Sequence, residues 1–190
     1  MQKVFLRSAV VSCLLLAGSV HAELNIKGLA DTCNNCHGTG GVSAGESMPS
    51  IAGLPEAYLK NLMMEWKTGK RASANMTRLI SGYTDEEIAA LATYFAKQPW
   101  TPVAQKTDKA TVKKGKAAAD KCTGCHGDTG AGDDETPKLT GQWAQYMELE
   151  LMKYRDESFK MTHEKMRKAA AKAGEADGNA AAQFFASQKK

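Results

Sequence analysis

Cys33-Asn34-Asn35-Cys36-His37 and Cys122-Thr123-Gly124-Cys125-His126 are two copies of one pentapeptide pattern, 89 residues apart. C-x-x-C-H is the attachment pattern of c-type haem. Two cysteines at this spacing reach the two vinyl groups of one porphyrin and form thioethers. The adjacent histidine then lies under the iron as its proximal ligand. Cys33, Cys36, Cys122 and Cys125 are therefore the expected covalent anchors, and His37 and His126 the expected axial ligands, of two haem c groups.

The duplication runs well beyond the pentapeptides. Pro49-Ser-Ile-Ala-Gly53 follows the first copy and Pro137-Lys-Leu-Thr-Gly141 the second. Five residues past each glycine stands Tyr58 or Tyr146; thirteen past stands Trp66 or Tyr154; fourteen past stands Lys67 or Arg155. Both copies close on a matching phrase, Tyr94-Phe95-Ala96-Lys97-Gln98 and Phe184-Phe185-Ala186-Ser187-Gln188. A duplicated module explains this better than one large core. The expected domains are residues 23–100 and 111–190, joined by a polar linker at 101–110 near Pro99 and Pro102.

The periodicity is helical throughout, and no run alternates as a strand does. Pro55 suits the first turn of a helix with the apolar stripe Leu59, Leu62, Met63, Trp66. Met147, Leu151 and Tyr154 repeat the stripe, with Trp143 one turn earlier. Thr84 with Glu87 reads as a capping box opening a helix with the face Ile88, Leu91, Ala92, Phe95. The lysine-rich run before Cys122 reads as a short helix leading into the second motif. The Gly-, Ser- and Asp-rich stretches between each histidine and the following proline read as loops. The expected fold class is all-α, with each module wrapped around a haem that supplies much of its core.

Residues 1–22 read as a secretory signal. Lys3 and Arg7 form a basic start, Val10 to Gly18 an apolar run too short to span a bilayer, and Val20-His21-Ala22 a small-residue cleavage site. The expected mature chain starts at Glu23 and is exported to the periplasm. It keeps four cysteines, all in the two motifs, so none is left for a disulfide or a catalytic thiol. Losing Lys3 and Arg7 leaves 23 basic against 21 acidic residues, without the dense basic stripe of a nucleic-acid binder. The cluster from Lys160 to Lys172 reads as a solvated helix face, with a docking patch as the alternative.

Each iron needs a second axial ligand, and methionine opposite histidine raises the reduction potential. In the first module Met76 fits, 43 residues after Cys33 in a loop-like run before the capped helix. Met48 is too close to the motif, and Met63 and Met64 lie within a regular helix. In the second module Met166 is 44 residues after Cys122 and 19 before Phe185, as Met76 is 19 before Phe95. These spacings favour Met166, with Met161 as the alternative and His163 as a third, bis-histidine, choice. A zinc site from the two C-x-x-C pairs is a poor rival, because 85 residues separate Cys36 from Cys122. A dithiol oxidoreductase would need a βαβ context that the sequence lacks.

With these residues in view, the chain resembles the di-haem cytochromes of the c-four type. More narrowly, it resembles the cytochrome subunit of flavocytochrome c sulfide dehydrogenase. The segments that carry this are Met76-Thr-Arg-Leu-Ile-Ser-Gly82-Tyr83 leading into Asp85-Glu86-Glu87-Ile88, and Gly141-Gln142-Trp143 with Tyr146. The paired Met161 and Met166 and the terminal Phe185-Ala186-Ser187-Gln188 add to it. The resemblance implies two tandem class I cytochrome c domains. It implies that Pro49 and Pro137 offer their carbonyls to the proximal histidines. It also implies a periplasmic electron-transfer subunit, not an enzyme by itself. That subunit accepts electrons from a separate FAD-containing sulfide dehydrogenase, as a heterodimer, and passes them to a soluble or membrane acceptor. FAD belongs to the partner only, since no G-x-G-x-x-G fingerprint is present here. The alternative is a free di-haem shuttle to a terminal oxidase. A haem enzyme such as a peroxidase or a thiosulfate dehydrogenase needs an open or unusually ligated iron, which two His/Met irons do not offer. Ala180 to Ala182 depart from the bulkier apolar residues of the pattern.

Overall fold

The computed structural model describes residues 25–189; the expected secretory signal at 1–22 lies outside them. All regular structure among the described residues is helical. The order is α1 (Ile26–Asp31), α2 (Asn34–His37), a 3-10 turn (Thr39–Gly41), α3 (Glu56–Lys67), α4 (Met76–Ile80), α5 (Asp85–Ala96), α6 (Lys109–His126), α7 (Ala144–Arg155) and α8 (Glu164–Ser187). None of these helices is long and apolar enough to cross a membrane.

Two cores form, one for each haem motif. In the first, α1 and α3 pack on α5 through Ala30, Leu54, Leu59, Leu91, Ala92 and Phe95. The expected capping box starts α5: Glu87 N–H donates to Thr84 Oγ1 at 3.1 Å and Thr84 N–H to Glu87 Oε2 at 2.7 Å. Pro55 stands as the N-cap of α3, one place before the expected first turn. In the second, α6 and α7 pack on α8 through Ala118, Ala119, Met147, Ala181, Ala182 and Phe185.

Two expectations change, and one element is new. The lysine-rich run is no short helix: α6 has 18 residues, started by Asp108, whose Oδ1 accepts the Thr111 N–H at 2.7 Å. Met76 does not stand in a loop but opens α4. Ser73 and Thr77 start that turn, with Met76 N–H donating to Ser73 Oγ at 3.2 Å and Ser73 N–H to Thr77 Oγ1 at 3.1 Å. The counterpart of α4 and α5 in the second half is one helix, α8, bent at Gly174 (φ 72°, ψ −174°). Gly174 stands 11 residues before Phe185, as Thr84 stands 11 before Phe95.

The small residues of α8 have a packing reason. Gly178, Ala181 and Ala182 stand where α5 has Ile88, Leu91 and Ala92, and all six are buried. Facing them, Gly115 of α6 lies so close to the Ala180 carbonyl that a Cβ would collide with it. The second core gains through close helix approach what the first gains through side-chain bulk.

Candidate functional site

The two histidines end α2 and α6 and sit in matched surroundings. His37 Nδ1 lies 2.9 Å from the Pro49 carbonyl oxygen, and His126 Nδ1 lies 3.0 Å from that of Pro137. With Nδ1–H donating there, each Nε2 keeps a free lone pair for a metal. Burial pushes both rings below the ordinary imidazole value, and the bond to the proline carbonyl only partly opposes it. Both are therefore held neutral, the form a metal needs.

The loop that brings each proline over its histidine turns on one glycine. Gly41 (φ 85°) and Gly130 (φ 80°) use a backbone region that side chains rarely enter. The Gly41 carbonyl accepts the N–H groups of Ile51 and Ala52 at 2.8 and 3.1 Å. The Gly130 carbonyl accepts those of Leu139 and Thr140 at 2.7 and 3.1 Å. The chain is thereby closed immediately after each proline.

Cys33 and Cys122 are half-buried and Cys36 and Cys125 exposed, and none of the four is paired in a disulfide. Burial pushes the Cys33 and Cys122 thiols up, so neither is an activated thiolate. Among the described residues no three His, Cys, Asp or Glu side chains gather as a metal site, so the two C-x-x-C pairs do not converge.

A polar atom also fits a haem. Trp66 Nε1 and Asn179 Oδ1 are the buried side-chain polar atoms without a partner among the described residues. An orphaned indole N–H is costly. A haem carboxylate would supply its acceptor in the first domain. At the matching place in the second domain, the Tyr154 hydroxyl instead accepts a hydrogen bond from Arg71 Nη1 at 2.9 Å. Arg71 also meets Glu150 at 2.8 Å and lies 5.3 Å from the centre of the Tyr154 ring. Burial alone would lower the Arg71 pKa, but Tyr154 and Glu150 outweigh that and keep it charged. Tyr58 and Tyr146, the repeated tyrosines, join this cluster, and burial raises both phenols. Sequence reasoning missed Arg71, because Lys67-Thr-Gly-Lys-Arg71 reads as a solvated turn.

The remaining ligand candidates are all partly accessible. Half-buried Met76 shares the first domain with His37. Met161 lies in the irregular segment before α8, and Met166 in the first turn of α8. The exposed His163 is the N-cap residue of α8 and approaches Glu65 of the first domain at 3.9 Å.

Known proteins match this arrangement along its length. Residues 27–95 match the family described as "Cytochrome C oxidase, cbb3-type, subunit III", and residues 112–187 the family "Cytochrome c". A cytochrome c4 of Pseudomonas aeruginosa is 35% identical over 162 residues, covering 77% of this chain and 81% of that protein. The cytochrome subunit of sulfide dehydrogenase from Chlorobaculum tepidum is 42% identical over 67 residues, covering 35% of this chain and 60% of that protein. The crystal structure of reduced recombinant cytochrome c4 from Pseudomonas stutzeri superposes with a TM-score of 0.78 at 28% identity, covering 86% of this chain and 96% of that one.

Proposed function

Because the chain belongs to the cytochrome c4 family, we propose that it is a periplasmic di-haem carrier taking electrons from a flavoprotein sulfide dehydrogenase and passing them to a soluble or membrane acceptor. Its fold is two tandem class I cytochrome c domains, and its cofactors are two covalently bound haem c groups. Bound haem supplies one-electron redox chemistry; the protein supplies binding, orientation and electrostatics. Residues 23–100 and 111–190 form the domains in this reading, 101–110 joins them, and residues 1–22 direct export.

Each pair of cysteines anchors one porphyrin: Cys33 with Cys36, and Cys122 with Cys125. His37 and Met76 hold the first iron; His126 and Met166 hold the second, with Met161 as the alternative. Pro49 and Pro137 orient the two imidazoles. The chain is not catalytic by itself. All four described cysteines belong to the haem motifs, so the two-electron step on sulfide falls to a partner that carries FAD.

The observation that carries the partner choice is the 42% identity over 67 residues to the cytochrome subunit of sulfide dehydrogenase. A second reading, the free shuttle to a terminal oxidase, is favoured by the longer match to cytochrome c4, which spans 77% of this chain. One experiment separates them. The chain is purified from its native periplasm, scanned for a flavin spectrum, and assayed for sulfide-dependent haem reduction. Copurifying flavin with catalytic turnover supports the subunit. A flavin-free chain that rapidly reduces an oxidase supports the shuttle.

A further inference from the structure

The geometry points to Gln142 of the second domain as the residue that positions the proximal ligand support of the first haem. Gln142 belongs to the Gly141-Gln142-Trp143 segment, and no direct role in holding a haem accounts for it. Its side-chain amide grips one residue of the other domain from both sides. Oε1 accepts the Ser50 N–H at 3.0 Å, and Nε2 donates to the Ser50 carbonyl at 2.9 Å. Ser50 directly follows Pro49, whose carbonyl meets His37 Nδ1 at 2.9 Å. The link from Gln142 to the imidazole is therefore one hydrogen-bonded pair, one peptide unit and one hydrogen bond.

The support is rigid at every joint. Ser50 is 1% exposed and Gln142 2%. Trp143, next to Gln142, donates its indole N–H to the Ser43 carbonyl at 3.2 Å, and the Ser43 N–H donates to Ser50 Oγ at 3.0 Å. Both ends of the loop segment 43–50 are thus held from the second domain. Gln142 is itself braced by Gln105, whose Nε2 donates to the Gln142 carbonyl at 2.8 Å and whose Oε1 accepts the Ala144 N–H at 2.9 Å.

The device is one-sided. Gln142 and Trp143 stand one and two residues after Gly141; the residues after Gly53 are Leu54 and Pro55, which lack side-chain amide or indole donors. The residue after Pro137 is Lys138, which lies over the Trp100 ring at 5.5 Å. Two near-identical histidine–proline pairs are therefore supported differently: the first domain reaches the second pair through Trp100, which lies under Lys138 and donates its indole N–H to the Thr140 carbonyl at 3.0 Å, whereas among the described residues only the first pair has the residue after its proline gripped by a side-chain amide of the other domain. A firmly held acceptor on Nδ1–H makes the imidazole a stronger donor to iron and favours the ferric state. Docking of the second domain would thus lower the potential of the first haem.

This inference rests on His37 as an axial ligand of the first haem. The test uses the full-length di-haem protein and the near-isosteric Gln142→Leu. Both reduction potentials are measured by spectroelectrochemistry. Each is assigned through nuclear Overhauser contacts of the haem methyl groups to residues of its own domain. The expected result is a higher first potential, equivalent to roughly a two- to fivefold change in the ferrous/ferric ratio at fixed ambient potential, with the second unmoved. Trp143→Phe removes the indole hydrogen bond to Ser43 while keeping an aromatic side chain, and should give a smaller shift of the same sign even if Gln142→Leu fails to fold. Faster amide exchange at Ser50 should accompany either variant. A first potential that stays put in a low-spin variant, or two potentials that move equally, overturns the proposal alone. A parent protein whose first haem shows no hyperfine-shifted imidazole resonances of His37 in its NMR spectrum overturns the ligand assignment and the proposal with it.

Discussion

Single side chains set the state of each iron, and the methionines are the sharpest test. The weak red-end absorption of ferric iron bonded to methionine sulfur should be present for both haems. Met76→Ala should remove about half of it, since two equivalent irons contribute. Met166→Ala should remove the other half. If Met161→Ala does so instead, the matched spacings to Cys122 and Phe185 chose the wrong residue.

At the scale of helices, the most exacting contact is the crossing of α6 and α8. A methyl group at Gly115 would run into the Ala180 carbonyl, a backbone atom that cannot swing aside. Gly115→Ala should therefore cost about 1–3 kcal/mol despite adding a better helix former. Lys116→Ala, exposed on the same helix, should cost almost nothing. Scanning calorimetry of the two variants compares them, and equal melting temperatures would contradict the close crossing. The same contact shows where sequence reading stops. The stripes of α3 and α5 and the Thr84–Glu87 box are legible because each is local; Pro49 and Pro137 stand out because their spacing repeats, and the resemblance to class I cytochromes c is what pairs them with the histidines. The closeness of Gly115 to Ala180 is not legible, because small residues leave no apolar stripe and Gly115 reads merely as a weak spot in a helix. Nor does any apolar stripe announce that α8 bends at Gly174 and resumes beyond it.

At the scale of the whole molecule, the two domains are joined by a polar and partly buried seam that no periodicity announces. Its members come from turns and from single positions far apart in sequence: Arg71 with Glu150 and Tyr154, Ser50 with Gln142, Glu65 with Thr162 at 2.6 Å, and the Ala72 N–H with the Lys160 carbonyl at 3.0 Å. Read singly, each looks like surface. Arg71 is the most consequential. Its side chain is only 6% exposed and that of Glu150 19%, so the pair is screened little by salt. Arg71→Met removes the cation but leaves Glu150 in place, and breaking one side of a buried pair is what costs most. Lys153, at 2.6 Å from the other Glu150 oxygen, retains part of the compensation. The expected cost is therefore about 3 kcal/mol, the low end for such a break. Because the loss falls on the seam and not on either core, it should appear as lost cooperativity. The parent protein should unfold in one transition seen alike by both haems. The variant should show two, with the domains separating before either core melts. Hydrogen exchange should locate the early opening at residues 43–50 and 71–72, with α5 and α8 still protected. A single transition in Arg71→Met, unshifted by 1 M salt and no lower than that of the parent, would mean that the Arg71–Glu150 pair adds no stability to the seam and that its other contacts hold the domains together.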